Sequence, residues 1–135
     1  MPVHLDTTFC IDLIREARRG VAGRATAKLS QLADTALFAS VFVVCELQAG
    51  ARLSHNPRTE LRRVGRLVNE LEVVFPDETF PVSYGEAEAH LRRHGTPIPT
   101  MDLLIGVLAR SHGRPLLTRD HEHYRKIPDL VVETY

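Results

Sequence analysis

Four acidic residues of this chain, Asp6, Glu46, Asp102 and Asp120, have the type and setting to hold a divalent cation if a fold gathers them. Carboxylates in close quarters repel one another and raise their own pKa values, and a hard cation removes that penalty. Mg²⁺ takes oxygen ligands in an octahedron, keeps several waters and leaves positions for phosphate oxygens. Such an ion lowers the pKa of a bound water and stabilises charge on a phosphorane and its leaving oxygen. That chemistry needs no Ser/His/Asp triad and no Cys nucleophile. Each acid also has a plain alternative. Asp6 and Asp120 could cap helices, and Asp102 could sit in a first turn as a helix-dipole acid. Glu46 is the hardest to dismiss, because an unpaired carboxylate within Val43-Val44-Cys45-Glu46-Leu47 is costly to bury.

The elements that must position these residues follow from the apolar pattern. Val3-His4-Leu5-Asp6 reads as a short buried strand, followed by a helix from Thr7 or Thr8 to about Arg18 that Gly20 ends. A second helix covers Ala25 to Ala33, and Leu37-Phe38-Ala39 is a second strand. Ser40 caps a third helix to about Leu53, although Phe42-Val43-Val44 could equally prolong the strand. Asn56-Pro57 breaks the chain, and Thr59 to Leu71 is helical. Glu72 to Phe75 is a third strand. Helices follow over about Ser83 to His94 and, capped by Thr100, to about His112. Pro115 to Thr118 is a fourth strand, Glu122 to Lys126 a helical turn, and Leu130 to Val132 a fifth strand.

Strands without polar alternation, separated by helices, indicate a parallel sheet covered on both faces. The expected fold is therefore α/β, a three-layer α/β/α sandwich with a central, mostly parallel sheet of four or five strands. In such folds ligands sit beyond the carboxyl ends of the strands, at the switch point in strand order. Asp6 ends the first strand and Asp120 follows the fourth. If those two strands are neighbours, both acids face one crevice, and the helices carrying Glu46 and Asp102 can point there too.

The 135 residues fit a single domain, and 44% hydrophobic content fills one core without disulfides or a structural metal. The formal net charge is zero. Were four acids gathered in one site, 17 basic residues would face 13 remaining acids, leaving +4 on the rest of the molecule. An acidic pocket on a mildly basic body suits a phosphodiester substrate if cations bridge the two. Cys10 and Cys45 lie in apolar stretches and read as buried reduced thiols. The N-terminus lacks the basic and apolar regions of a signal peptide, and the longest apolar stretch is too short for a membrane span. These features place the chain in the cytoplasm, away from membranes.

Leu5-Asp6-Thr7-Thr8, Val44-Cys45-Glu46-Leu47, Met101-Asp102-Leu103-Leu104-Ile105 and Leu117-Thr118-Arg119-Asp120 together resemble the four-motif pattern of PIN domains. More narrowly, the chain is similar to the VapC toxin branch of VapBC toxin–antitoxin systems. The resemblance spans essentially the whole chain. It implies a ribonuclease with Asp6, Glu46, Asp102 and Asp120 as Mg²⁺ or Mn²⁺ ligands and Asp6 and Asp102 as the central pair. Glu46 reaches the ion directly or through water, and Asp120 stands where relatives carry Asp or Asn. Thr7 and Thr118 resemble hydroxyls that orient ligands, while Thr8 replaces a frequent Asn. The resemblance further implies a tRNA or ribosomal RNA substrate, a small VapB-like antitoxin and a homodimer.

Other residues invite different readings. His121-Glu122-His123 looks like a metal cluster, but His at i and i+2 diverge on a helix, and Zn²⁺ sites favour other spacings. Either His could lie beside RNA. His4 reads as a packed core histidine. Arg119 either clamps a phosphate or forms a surface salt bridge. Arg58, Arg62, Arg63 and Arg66 form a basic stripe that is either a solvated face or a contact for RNA or antitoxin. Asp12, Asp77 and Glu78 are left outside the site. Two rival functions are a processing nuclease without an antitoxin and a non-catalytic α/β interaction domain. A receiver domain fits poorly, since Lys126 precedes the last strand. A haloacid-dehalogenase-like phosphatase would want Asp where Thr8 stands, and a dinucleotide-binding G-x-G-x-x-G is missing after the first strand.

Overall fold

Five strands and seven helices alternate along residues 2–135, the part of the chain described by this computed structural model. The strands are β1 (Val3–Leu5), β2 (Leu37–Ser40), β3 (Glu72–Val74), β4 (Leu116–Leu117) and β5 (Val132–Glu133). The helices are α1 (Thr7–Arg19), α2 (Arg24–Gln31), α3 (Val41–Arg52), α4 (Pro57–Asn69), α5 (Phe80–Arg93), α6 (Thr100–Ser111) and α7 (His121–Tyr124). All pairings are parallel, in the order β3-β2-β1-β4-β5. The sheet is thus wholly parallel, and β1 and β4 are neighbours at the switch point.

The layers follow from handedness. Strands β1 to β3 step one way across the sheet and β4 to β5 step the other. Right-handed crossovers therefore put the connecting helices on opposite faces. The packing agrees: α1, α2, α3 and α4 pack among themselves, as do α5, α6 and α7. Central strands are buried on both faces, so Val3, Leu5, Leu116 and Leu117 are all closed to solvent.

Local chemistry sets the element ends. Ser40 Oγ accepts the Val43 N–H, so the ambiguous Phe42-Val43-Val44 segment is helix and not strand. Asn56-Pro57 opens α4 instead of merely breaking the chain: Asn56 Oδ1 accepts from Thr59 N–H, and Pro57 occupies a first-turn position where no amide is needed. Thr100 is the first residue of α6 and not its cap, a position held by Pro99. Gly20 ends α1 at φ 68°, a left-handed conformation that glycine adopts without penalty. The last strand begins at Val132, two residues later than its apolar run suggests, because Asp129 turns the chain at φ 64°. Among the described residues, no helix is long and apolar enough to cross a membrane.

Candidate active site

The switch point gathers the acids from separate elements. His4 and Leu5 of β1 lie opposite Leu116 and Leu117 of β4. The Asp6 N–H continues that ladder to the Leu117 carbonyl (3.0 Å), so Asp6 and Thr118 leave the sheet side by side. Asp6 is only 3% exposed. It occupies the N-cap position of α1, yet its side chain makes no capping bond. Its oxygens turn instead to hydroxyls: Tyr124 donates to Oδ1 at 2.7 Å, Thr118 to Oδ2 at 2.7 Å and Thr8 to Oδ2 at 3.0 Å. Three hydroxyl donors thus satisfy one buried carboxylate and fix its orientation.

Asp102 lies in the first turn of α6 and points at the same phenol, with its Oδ1 3.4 Å from the Tyr124 hydroxyl. Its Oδ2 is 2.8 Å from His123 Nδ1, an approach that a carboxylate acceptor favours with the hydrogen on Nδ1. Burial raises the Asp102 pKa. The His123 hydrogen bond works against that rise, and the charges of Asp6 and Asp120 add to it. Burial foremost, with the charges of Asp6 and Asp102, drives the Tyr124 phenol far above its ordinary range. It therefore stays protonated, with its one hydrogen on the short bond to Asp6 and Asp102 Oδ1 at the longer distance.

Glu46, half-buried on α3, accepts from Thr7 Oγ1 at 2.6 Å. Burial raises its pKa most. The Thr7 bond lowers it, and Asp6 and Asp102 raise it again. Asp120 is the outlying member. Its side chain is 49% exposed, and its carboxylate lies 3.8 Å from His123 Nδ1. Like Asp6 it holds an N-cap position, here of α7, without a side-chain capping bond. Its backbone N–H donates to Thr118 Oγ1 at 3.0 Å, and Thr118 is fully buried. The same loop is tied back through the Arg119 N–H, which donates to Thr8 Oγ1 at 3.2 Å.

The helix α7 brings in residues that spacing alone did not assign. His123 and Tyr124 contact the acids because α7 and the following turn pack directly on α6. Gly106, one turn beyond Asp102 on the same face, allows this approach: a Cβ there would run into the Ile127 side chain and lie 3.3 Å from Tyr124. A His at 123 was recognisable as a possible RNA neighbour. Its contact with Asp102, and any role for Tyr124, depend on this helix packing and left no motif in the sequence.

Other expectations separate cleanly. The Arg119 guanidinium turns away from the carboxylates to Asp12, with Nη1 3.0 and 3.2 Å from its two oxygens. Asp12 is thus no idle acid, since it also accepts from the Tyr135 hydroxyl at 2.6 Å and lies 3.6 Å from Arg15. Arg63 of the α4 stripe pairs with Glu60, while Arg58, Arg62 and Arg66 are exposed. His4 is 1% exposed and stacks on Phe38, as a core histidine should. Cys10 is buried, but Cys45 is exposed, because it lies on the outward side of α3 between Val43 and Leu47.

The donor set suits a hard cation: four carboxylates, with two of them converging on one hydroxyl and Glu46 and Asp102 both raised by burial and by acidic neighbours. Among the described residues, no group of three or more His, Cys, Asp and Glu already stands close enough to close around an ion. Asp6 and Asp102 meet at the Tyr124 hydroxyl, and Glu46 and Asp120 lie near enough to exchange charge effects with them.

A parallel sheet with carboxylates at its switch point defines a class of protein, and here the class is shown directly. The chain belongs to the PIN-domain family, whose family model matches residues 3–129. Its relatives include the tRNA(fMet)-specific endonuclease VapC of Salmonella typhimurium, 28% identical over 131 residues, covering 97% of this chain and 96% of that protein. Ribonuclease VapC1 of Haemophilus influenzae is 29% identical over 126 residues, covering 93% and 92%. Among solved structures, VapBC2 from Rickettsia felis bound to a promoter DNA fragment matches with a TM-score of 0.90 at 25% identity, over 100% of this chain and 99% of that one. DNA-bound VapBC from Salmonella typhimurium matches with a TM-score of 0.88 at 26% identity, over 99% and 98%.

Proposed function

We propose that this chain is a Mg²⁺- or Mn²⁺-dependent endoribonuclease, the toxin of a toxin–antitoxin pair. The observation that carries the reading is the convergence of buried Asp6 and half-buried Asp102 on one hydroxyl at the switch point. Relatives named as ribonucleases, and structural neighbours that are VapBC complexes, support the substrate class and a small VapB-like antitoxin as partner. In this reading Asp6 and Asp102 hold the cation, and Glu46 and Asp120 complete its surroundings directly or through water. The cation, when bound, supplies a polarised water and charge neutralisation at the scissile phosphate.

The chain's own residues do the positioning. Thr118, just after β4, and Thr8, in the first turn of α1, fix the Asp6 carboxylate from two sides. Thr7 fixes Glu46 from α1, and His123 fixes Asp102. Hydroxyl donors suit this task because they hold a carboxylate in place without neutralising it, so the negative potential that draws a cation survives.

Purified chain incubated with total RNA tests the reading. Cleavage is expected with Mg²⁺ or Mn²⁺, none with EDTA, and little from Asp6→Asn or Asp102→Asn. Metal-independent cleavage, or undiminished cleavage by both variants, contradicts it.

A further inference from the structure

We propose that the depression between α1, the α1–α2 turn and the β4–α7 step binds RNA backbone phosphates flanking the cleavage site. This inference rests on the ribonuclease reading above.

An acidic site repels its own polyanionic substrate, and a chain of zero formal net charge offers no overall attraction. RNA must therefore be held by local cations outside the carboxylates. A depression beside the site combines a surplus of such cations with a hydrogen-bonded link to the acids. It encloses about 550 Å³ and is lined by Arg15, Arg19, Arg24 and Arg119. Two acids share it, Asp12 and Glu16, and both are already engaged. Glu16 accepts from the backbone N–H groups of Gly23 (2.6 Å), Ala25 (3.2 Å) and Thr26 (2.9 Å), fastening the α1–α2 turn. Asp12 holds Arg119, Arg15 and the Tyr135 hydroxyl. Four guanidinium groups against two carboxylates leave a local surplus of two positive charges. Arg19 and Arg24 are exposed and, among the described residues, take no ion-pair partner. Guanidinium groups present planar donor forks suited to phosphate.

Position strengthens the case. The Arg119 N–H donates to Thr8 Oγ1, and Thr8 donates to Asp6 Oδ2. Two hydrogen bonds thus separate the wall of the depression from the central carboxylate. The groove that Glu46 itself lines has a different character. Ile11, Ile14, Leu47 and Val64 give it a largely apolar wall, and its two arginines, Arg15 and Arg18, are matched by two acids, Glu46 and Glu60, so it carries no surplus of positive charge.

The test measures binding apart from cleavage. Asp102→Asn chain in EDTA is titrated into fluorescein-labelled mixed-sequence single-stranded RNA, and anisotropy is followed across a salt series. Adding Arg19→Ala and Arg24→Ala should weaken binding by about tenfold and make the salt slope shallower by about 1 to 1.5. The Arg19→Lys and Arg24→Lys pair should keep the slope. Arg58→Ala with Arg62→Ala on α4 should leave both quantities unchanged, and melting curves confirm that every variant is folded. Unchanged affinity and slope in the alanine pair, or absence of salt-sensitive binding in the parent, overturns the inference and leaves the arginines to an acidic protein surface. A failed nuclease reading looks different: binding and its arginine dependence persist, but wild-type chain cleaves no RNA with metal present.

Discussion

Two buried polar side chains stand two residues apart, His4 within the central strand β1 and Asp6 just beyond its end, and they meet opposite fates. His4 is stacked on Phe38 (ring centroids 5.6 Å apart) and lies 3.3 Å from His112 across a tilted ring pair, while the Arg114 guanidinium sits over the Phe38 ring. Burial first, then the charges of His112 and Arg114, lowers the His4 pKa to about 4, so the ring stays neutral and behaves as packing. Asp6 is as thoroughly enclosed, but it stands at the carboxyl end of the strand and is surrounded by hydroxyls and other acids. One site resolves the cost of burial by discharging its polar group. The other surrounds its polar group with hydroxyl donors that orient it. A fold that wanted only stability would use the first solution twice.

This contrast can be broken by experiment. Asp102→Asn should lower RNA cleavage by at least about 100-fold, a loss of the size seen when a single charge-stabilising group is removed. Its melting temperature should hold or rise, because the raised Asp102 pKa means that the ionised acid opposes folding at neutral pH. His4→Ala should do the reverse. It removes a stacked, buried ring, so chemical denaturation should show a loss of about 3 kcal/mol, while the folded fraction keeps its cleavage rate. If both variants lose cleavage in the folded fraction, or both lose stability alike, the division between the packed His4 and the acids at the carboxyl end of β1 is wrong.

The two sites should also differ in pH response. The His4 pKa is lower in the folded chain than in the unfolded one, so the unfolded state binds the extra proton. Its contribution is intact above about pH 6.5 and is lost as pH falls towards 4, by on the order of 3 kcal/mol at most. Denaturation of wild type and His4→Gln at several pH values measures this. The difference in pH slope between them should lie within that window. A smaller effect belongs to Tyr124→Phe. Without metal it leaves Asp6 Oδ1 short of a donor and should cost about 1 kcal/mol. Excess Mn²⁺ should shrink that cost, because a cation takes over the carboxylate. An equal cost with and without Mn²⁺ would separate Tyr124 from the proposed ion site.

Much of this arrangement was legible in the sequence, for reasons that differ between residues. Buried β1 and β4 read correctly because a strand covered on both faces has no polar alternation. Their adjacency followed only conditionally, since strand order comes from crossovers and not from local pattern. The functional edge came from the topological rule, and at that edge Thr118 bonds both the Asp6 carboxylate and the Asp120 backbone. Arg119 could be read two ways, and its guanidinium lies on Asp12. Cys45 was misread because an apolar run on a helix has an outward face, whereas the same run on a buried strand would not. Tyr124 and the His123–Asp102 contact were out of reach. They depend on a four-residue helix lying tightly on α6, and the feature that permits this, Gly106, is one glycine in an apolar helix with no motif around it.

The central claim is that β1, α6 and their neighbours keep charged carboxylates in place to hold a divalent cation. Calorimetric titration of metal-free chain with Mn²⁺ tests it most directly, with Asp6→Asn, Asp102→Asn and His4→Gln alongside. We predict saturable binding by wild type and by His4→Gln, and its loss in both Asp variants. Mn²⁺ binding of equal strength in all four proteins, or in none of them, would contradict the account.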